Sequence, residues 1–114
     1  MPSPITTHVL DTTRGRPAIG VPVALAHLDG ARWVELGHGH TDTDGRNREL
    51  LSDDHALAPG TYRLVFDTKT YFLSIGVVGF YPKVDVMFEL PMPERHYHIA
   101  LLINPFGYTT YRGS

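Results

Sequence analysis

From Tyr97 to Ile103 the chain alternates without a break. Tyr97, Ile99, Leu101 and Ile103 fall on one face of an extended strand, and His98, Ala100 and Leu102, preceded by His96, fall on the other. The apolar face has to be covered by a second layer, so the chain is committed to a packed sheet. Asn104-Pro105-Phe106-Gly107 then supplies turn chemistry. Proline fixes φ and glycine is free to take positive φ, so Tyr108 to Arg112 is expected to fold back antiparallel. Tyr111, Arg112 and Ser114 arrive at the end of this second strand with no tail after them. Chain ends fray unless held, so this end is expected to be pinned.

The same period recurs along the chain. Ile5 to Asp11 sets Ile5, Thr7 and Val9 against Thr6, His8 and Leu10, and its β-branched residues favour a strand, which Thr13 to Pro17 ends. Val21 to Leu28 and Arg32 to Gly37 read as two strands joined through Asp29-Gly30, a strong hairpin signal. Thr41 to Arg46 is rich in turn formers, which places Arg46 just after a tight turn, with a short strand expected over Glu49 to Leu51. Asp53 to Ala58 reads as polar loop. Pro59-Gly60 launches a strand, Thr61 to Asp67, with Tyr62, Leu64 and Phe66 inward. Thr68 to Ser74 breaks the alternation, and with Thr68 as N-cap and Tyr71, Phe72 and Ile75 at helical spacing it predicts one short helix. Val84, Val86, Phe88 and Leu90 then alternate until Pro91 and Pro93. Short strands with turn signals at roughly 8–12-residue intervals argue an all-β sandwich.

Composition bounds what such a sandwich can do. At 114 residues the chain is expected to be one domain, 1–114, which at this size buries roughly two-thirds of its unfolded surface. Cysteine is absent, which removes disulfides, thiolate ligands and thiol catalysis. The formal net charge is −2 and the 10 Lys and Arg are scattered, so no nucleic-acid surface is expected and the partner is expected to be a small molecule. The apolar runs are too short to span a bilayer. Met1-Pro2-Ser3-Pro4 shows no basic leader, so the expected location is cytoplasmic, with no membrane partner.

Several side chains admit two readings from their chemistry alone. His96 and His98 lie on the face away from the core, either as imidazoles open to water or as part of a site. His8 is either an edge histidine with a hydrogen-bonded ring or their partner. Arg46 is either a solvated turn residue or a planar charged fork for an anionic or carbonyl-rich ligand. Tyr108 and Tyr111 fall on opposite faces, so at least one is expected to point inward. His96-x-His98 with His8 could offer zinc three imidazoles, but no Asp or Glu shows matching spacing, and no metal or other cofactor is expected. His38-Gly39-His40 is ambiguous in the same way, with a flexible glycine between the rings. No serine sits on a nucleophile elbow, which discards a Ser-His-Asp triad.

Over its whole length the chain resembles the transthyretin-like family, in its 5-hydroxyisourate hydrolase branch. The matching residues are His96-Tyr97-His98, Leu101-Leu102, Pro105-Phe106-Gly107-Tyr108 and the closing Tyr111-Arg112-Gly113-Ser114. Ile5 to Thr12, Thr43-Asp44-Gly45-Arg46 and Thr61 to Asp67 extend the match. The closing tetrapeptide separates this branch from the hormone-carrying transthyretins. The resemblance implies two four-stranded antiparallel sheets with one short helix. It also implies hydrolytic opening of the six-membered ring of 5-hydroxyisourate, in urate degradation, by a homotetramer with sites in a channel where two dimers meet. It carries catalysis onto His8, Arg46, His98 and Ser114, and substrate binding onto His8, Arg46 and Tyr111. One histidine is then general base and the other a second proton-transfer or orienting group, and which is which stays open. Arg46 would hold the purine oxygens and stabilise developing charge, while Ser114 would orient His98 or the water. The family more often has proline at Ala100 and serine at Asn104; neither is a proposed catalytic position. Two other functions fit the same fold: a non-catalytic carrier of a small aromatic ligand, and an interaction module with no small-molecule site.

Overall fold

The computed structural model describes residues 3–52, 56–91 and 96–113. Part of the expected polar loop over 53–58, and all of Ser114, lie outside these residues.

Among the described residues nine strands and one helix follow in order: β1 (Ile5–Asp11), β2 (Arg16–Pro17), β3 (Pro22–Asp29), β4 (Arg32–His40), β5 (Arg46–Asn47), β6 (Gly60–Phe66), α1 (Thr68–Ser74), β7 (Val84–Leu90), β8 (Tyr97–Asn104) and β9 (Gly107–Gly113). They form two layers. One sheet runs β2-β1-β8-β9, with β5 also on β1; the other runs β4-β3-β6-β7. Between them Ile5, Val9, Tyr62, Leu64, Phe66, Leu101 and Ile103 are buried, each from the predicted apolar face of its strand, and Leu25 of β3 joins them. Fully burying a side chain of this size contributes about 1.5–3 kcal/mol, which is what holds the layers face to face.

The sandwich differs from the expected pair of four-stranded antiparallel sheets in two respects. β1 and β8 run parallel, with Thr6 beside His98 and Thr7 beside Ile99. The Thr7 hydroxyl, fully buried, donates to the Ile99 carbonyl at 2.7 Å. The first sheet has five strands because two two-residue strands share one edge of β1, β2 against Leu10 and Asp11 and β5 against Thr7 and His8.

Local boundaries shift for identifiable reasons. The short middle strand is Arg46–Asn47 rather than Glu49 to Leu51; Leu50 and Leu51 are instead buried in the core. β4 continues past Gly37 to His40, with Leu36 bulged out as an extra residue opposite the Leu25–Ala26 step of β3. The N-cap of α1 is Asp67, whose carboxylate accepts the Thr70 N–H at 3.0 Å. Thr68 is the first helical residue, and its hydroxyl donates to the Tyr81 carbonyl at 2.9 Å. Tyr108 and Tyr111 are both exposed. β9 is an edge strand, so its side chains on either face lack a full layer above them. No helix among the described residues is long and apolar enough to cross a membrane.

Candidate active site

β1 buries Ile5, Thr7 and Val9, so Thr6, His8 and Leu10 face away from the core. Register then decides which side chains meet them. His8 lies opposite Arg46 on β5 and beside Ala100 on β8, and Ala100 lies opposite Tyr111 on β9. Arg46, His8, Ala100 and Tyr111 therefore form one row across four strands. The adjoining row is Thr6, His98 and Gly113. With strands about 4.8 Å apart, His8 and Tyr111 stand about 10 Å apart across the small Ala100, a floor wide enough for a flat bicyclic molecule.

Arg46 is brought to this row by a compact turn. The Asp42 carboxylate accepts the Asp44 N–H at 2.8 Å and the Arg46 N–H at 3.0 Å. These N–H donors, the Arg46 one foremost, hold the Asp42 carboxyl below its usual range. The Gly45 carbonyl accepts the Val9 N–H at 2.7 Å, which clamps the turn on β1. Only glycine fits there: its φ is +77°, and a Cβ would lie 2.4 Å from the Val9 carbonyl oxygen.

The His8 and His98 ring centroids are 6.4 Å apart, as are those of His98 and His96. The Thr6 hydroxyl sits between the last two, 2.8 Å from His98 Nδ1 and 3.1 Å from His96 Nε2. Burial, and after it the Arg46 guanidinium, push the pKa of both His8 and His98 below 6.5. Hydrogen bonding to the Asp44 backbone pulls His8 the other way, in smaller measure. Both imidazoles are thus biased toward the neutral form beside a permanent positive charge: two proton acceptors next to a group that donates only.

Of the residues expected in a site, His8, Arg46, His98 and Tyr111 lie on this one face, and Ser114 falls outside the described residues. Tyr111 is 55% exposed at the sheet edge. Its neighbour Arg112 turns to the other face, its guanidinium 4.9 Å from the Tyr97 ring centre. Two contributors were not singled out beforehand. Thr6 shares the His8 face of β1, a signal present in the alternation, and Gly113 allows the His98 ring to lie against β9. Among the described residues no group of three or more His, Cys, Asp or Glu is placed to hold a metal ion. A separate apolar cleft of about 520 Å³ opens between the edge strands β7 and β9, lined by Val86, Phe88, Tyr97 and Ile99, with Tyr111 at its rim.

Fold and face together define a class: a β-sandwich that sets imidazoles and a guanidinium, from three strands, on the outer face of a single sheet. The chain belongs to the HIUase/Transthyretin family, whose model matches residues 5–113. It is 45% identical to a 5-hydroxyisourate hydrolase of Mus musculus, over 98% of this chain and 96% of the mouse protein. Among solved structures it resembles a 5-hydroxyisourate hydrolase of Klebsiella pneumoniae, with a TM-score of 0.85 and 33% identity over 98% of this chain and 99% of that one. A sea bream transthyretin in complex with thyroxine superposes with a TM-score of 0.89 at 33% identity, covering 96% of this chain and 94% of that one.

Proposed function

We propose that this chain is a hydrolase that opens the six-membered ring of 5-hydroxyisourate, yielding 2-oxo-4-hydroxy-4-carboxy-5-ureidoimidazoline in urate degradation. The observation that carries the reading is the row in which His8 lies directly opposite Arg46, with His98 one register step away on the neighbouring strand. A neutral imidazole next to a fixed cation suits addition of water to a ring carbonyl. His98 takes a proton from water as general base, and the hydroxide adds to the carbonyl carbon. Arg46 stabilises the oxyanion that forms. The C–N bond then breaks, and the departing nitrogen receives the proton, with His8 as the second proton-transfer or orienting group. Tyr111 bounds the far side of the floor and contributes binding. Ser114, one residue beyond Gly113, belongs to the same reading as an orienting group for His98 or the water.

The reading includes a homotetramer in the cytoplasm. It is supported by the family fold and by the site's position on the outer face of a sheet, where a second pair of subunits would wall off a channel. The likeness to a thyroxine-bound transthyretin favours a second reading, a carrier. Against it, an apolar ligand would cover the partly buried polar groups of His8, Arg46 and His98 without pairing them, which is costly.

The test is the ultraviolet disappearance of freshly generated 5-hydroxyisourate, corrected for spontaneous decay. Acceleration by the wild-type protein, reduced about 10²–10⁴-fold in a folded His98→Ala variant, is the expected result. Unchanged turnover in that variant would remove His98 from the mechanism. No acceleration by a well-folded wild-type tetramer would favour the carrier.

A further inference from the structure

The Thr6 hydroxyl carries one proton and faces two ring nitrogens, His98 Nδ1 at 2.8 Å and His96 Nε2 at 3.1 Å. It can donate to only one of them and must accept from the other. The tautomers of the two rings are therefore coupled through a single oxygen. In one arrangement Thr6 donates to His96 Nε2 and accepts the His98 Nδ1–H, leaving His98 Nε2 as a bare lone pair. In the other, His98 Nδ1 is the acceptor and Nε2 carries the proton, so the ring cannot act as a base. We propose that Thr6 and His96 are positioning residues that hold His98 in the Nδ1–H tautomer, with Nε2 free to take a proton from water. The proposal rests on the reading of His98 as general base.

Three features select that polarity. Thr6 is 3% exposed, so little water competes for its hydroxyl, and it is the direct register partner of His98, so the sheet sets their separation. His96 is exposed, and its Nδ1–H can be met by solvent in the chosen arrangement. His98 also lies in a field of positive charge from Arg46 and Arg48, with His8 and His96 as the other titratable groups facing it. That field holds the ring in its neutral form, so that one nitrogen keeps a lone pair. Asp42 and Asp44, the carboxylates of the turn, act on the neighbouring His8. Through the reaction the balance closes on His98 itself. Nε2 gains the water proton and returns it to the departing nitrogen, while the Nδ1–H stays on the Thr6 oxygen.

The experiment is ¹⁵N NMR of histidine-labelled protein above the histidine titrations, combined with steady-state kinetics on three variants. Wild-type His98 is expected to show a protonated Nδ1 and a bare Nε2. Thr6→Val keeps the shape of the side chain and removes the hydroxyl; His98 should move toward the Nε2–H form and kcat should fall by about 10-fold or more with KM little changed. Thr6→Ser should restore both. His96→Ala, at an exposed position, frees the hydroxyl to turn onto His98 Nδ1 and should shift the tautomer the same way. A wild-type His98 found as Nε2–H, or variants with unaltered tautomer and kcat, would overturn the proposal. The tautomer is read without substrate. A wild-type protein that shows the Nδ1–H form and fails to hydrolyse 5-hydroxyisourate would therefore support the tautomer lock and sink the hydrolase reading.

Discussion

Gly113 stands opposite His98 in the β8–β9 pair, and a Cβ built on it would lie 2.6 Å from His98 Cδ2 and 3.4 Å from Cγ. The closer approach falls about 1 Å short of ordinary carbon–carbon separation. Gly113→Ala therefore forces the imidazole to move, and one direction is blocked because Nδ1 already sits 2.8 Å from the Thr6 hydroxyl. The ring has to tilt, which carries its free nitrogen by a comparable distance. A misplacement of about 1 Å in a catalytic group can lower the rate about 10²-fold, so kcat is expected to fall by about 10- to 100-fold. Stability should hardly change, by less than about 0.5 kcal/mol, because Gly113 lies at the end of an edge strand and supports no core side chain. The assay is the initial rate of 5-hydroxyisourate loss, with thermal unfolding as the check on folding. Gly107→Ala on the same strand is the control: its Cβ would meet Asn104 at 3.8 Å, and kcat should be kept. A folded Gly113→Ala protein with kcat within about twofold of wild type would refute the argument that glycine there positions the ring.

Arg46→Gln removes the positive charge that depresses His8 and His98. Both titration midpoints, followed by proton NMR, should rise, and a His98 midpoint that stays put or falls would contradict the account. In the wild type both folded-state values lie below the ordinary 6.5, so the unfolded chain binds more protons on acidification. The stability held by the neutral rings is complete above pH 6.5 and is lost as pH falls through the folded values, which a Tm series from pH 7 to pH 5 would register. Tyr71→Phe tests a buried polar pair: the hydroxyl donates to Asp11 Oδ2 at 2.7 Å, and Asp11 is 1% exposed. Burial first, and the Asp11 hydrogen bond second, push the Tyr71 pKa up to about 12, so it stays a donor. Its loss should destabilise the protein by about 1–3 kcal/mol in denaturant unfolding; an unchanged midpoint would show that Asp11 is satisfied without it.

The alternation in the long strands was enough to identify their core faces, because one buried face per strand writes period two directly into the residues. Tyr62, Leu64 and Phe66, and Tyr97, Ile99, Leu101 and Ile103, are buried as their pattern requires. Alternation carries no information on strand direction, so the parallel pairing of β1 with β8 was invisible, and with it the row that sets His8 beside Ala100. β2 and β5 were missed as strands for a related reason: two residues contain no period. The turn before Arg46 was legible in Thr43-Asp44-Gly45, but its clamp depends on the Val9 N–H, 36 positions away in sequence, which donates to the Gly45 carbonyl. Thr6 was visible on the His8 face and unremarkable there. Its role depends on His98 arriving from the far end of the chain. The expectation that Tyr108 or Tyr111 would turn inward assumed a covered strand, whereas β9 is an edge.

The two strands that carry the histidines come from opposite ends of the chain, Thr6 and His98 being 92 positions apart. Loop closure over such a span is entropically expensive, and pairings of this kind form late and slowly. During synthesis β1 would wait without its neighbour until β8 and β9 have been made. The site is therefore incomplete without them: a nascent or clipped chain can hold the second sheet together, and even set Arg46 opposite His8, and still complete neither row of the first. Turnover of substrate becomes a reporter of complete folding, and the appearance of activity during refolding should coincide with the slowest structural phase.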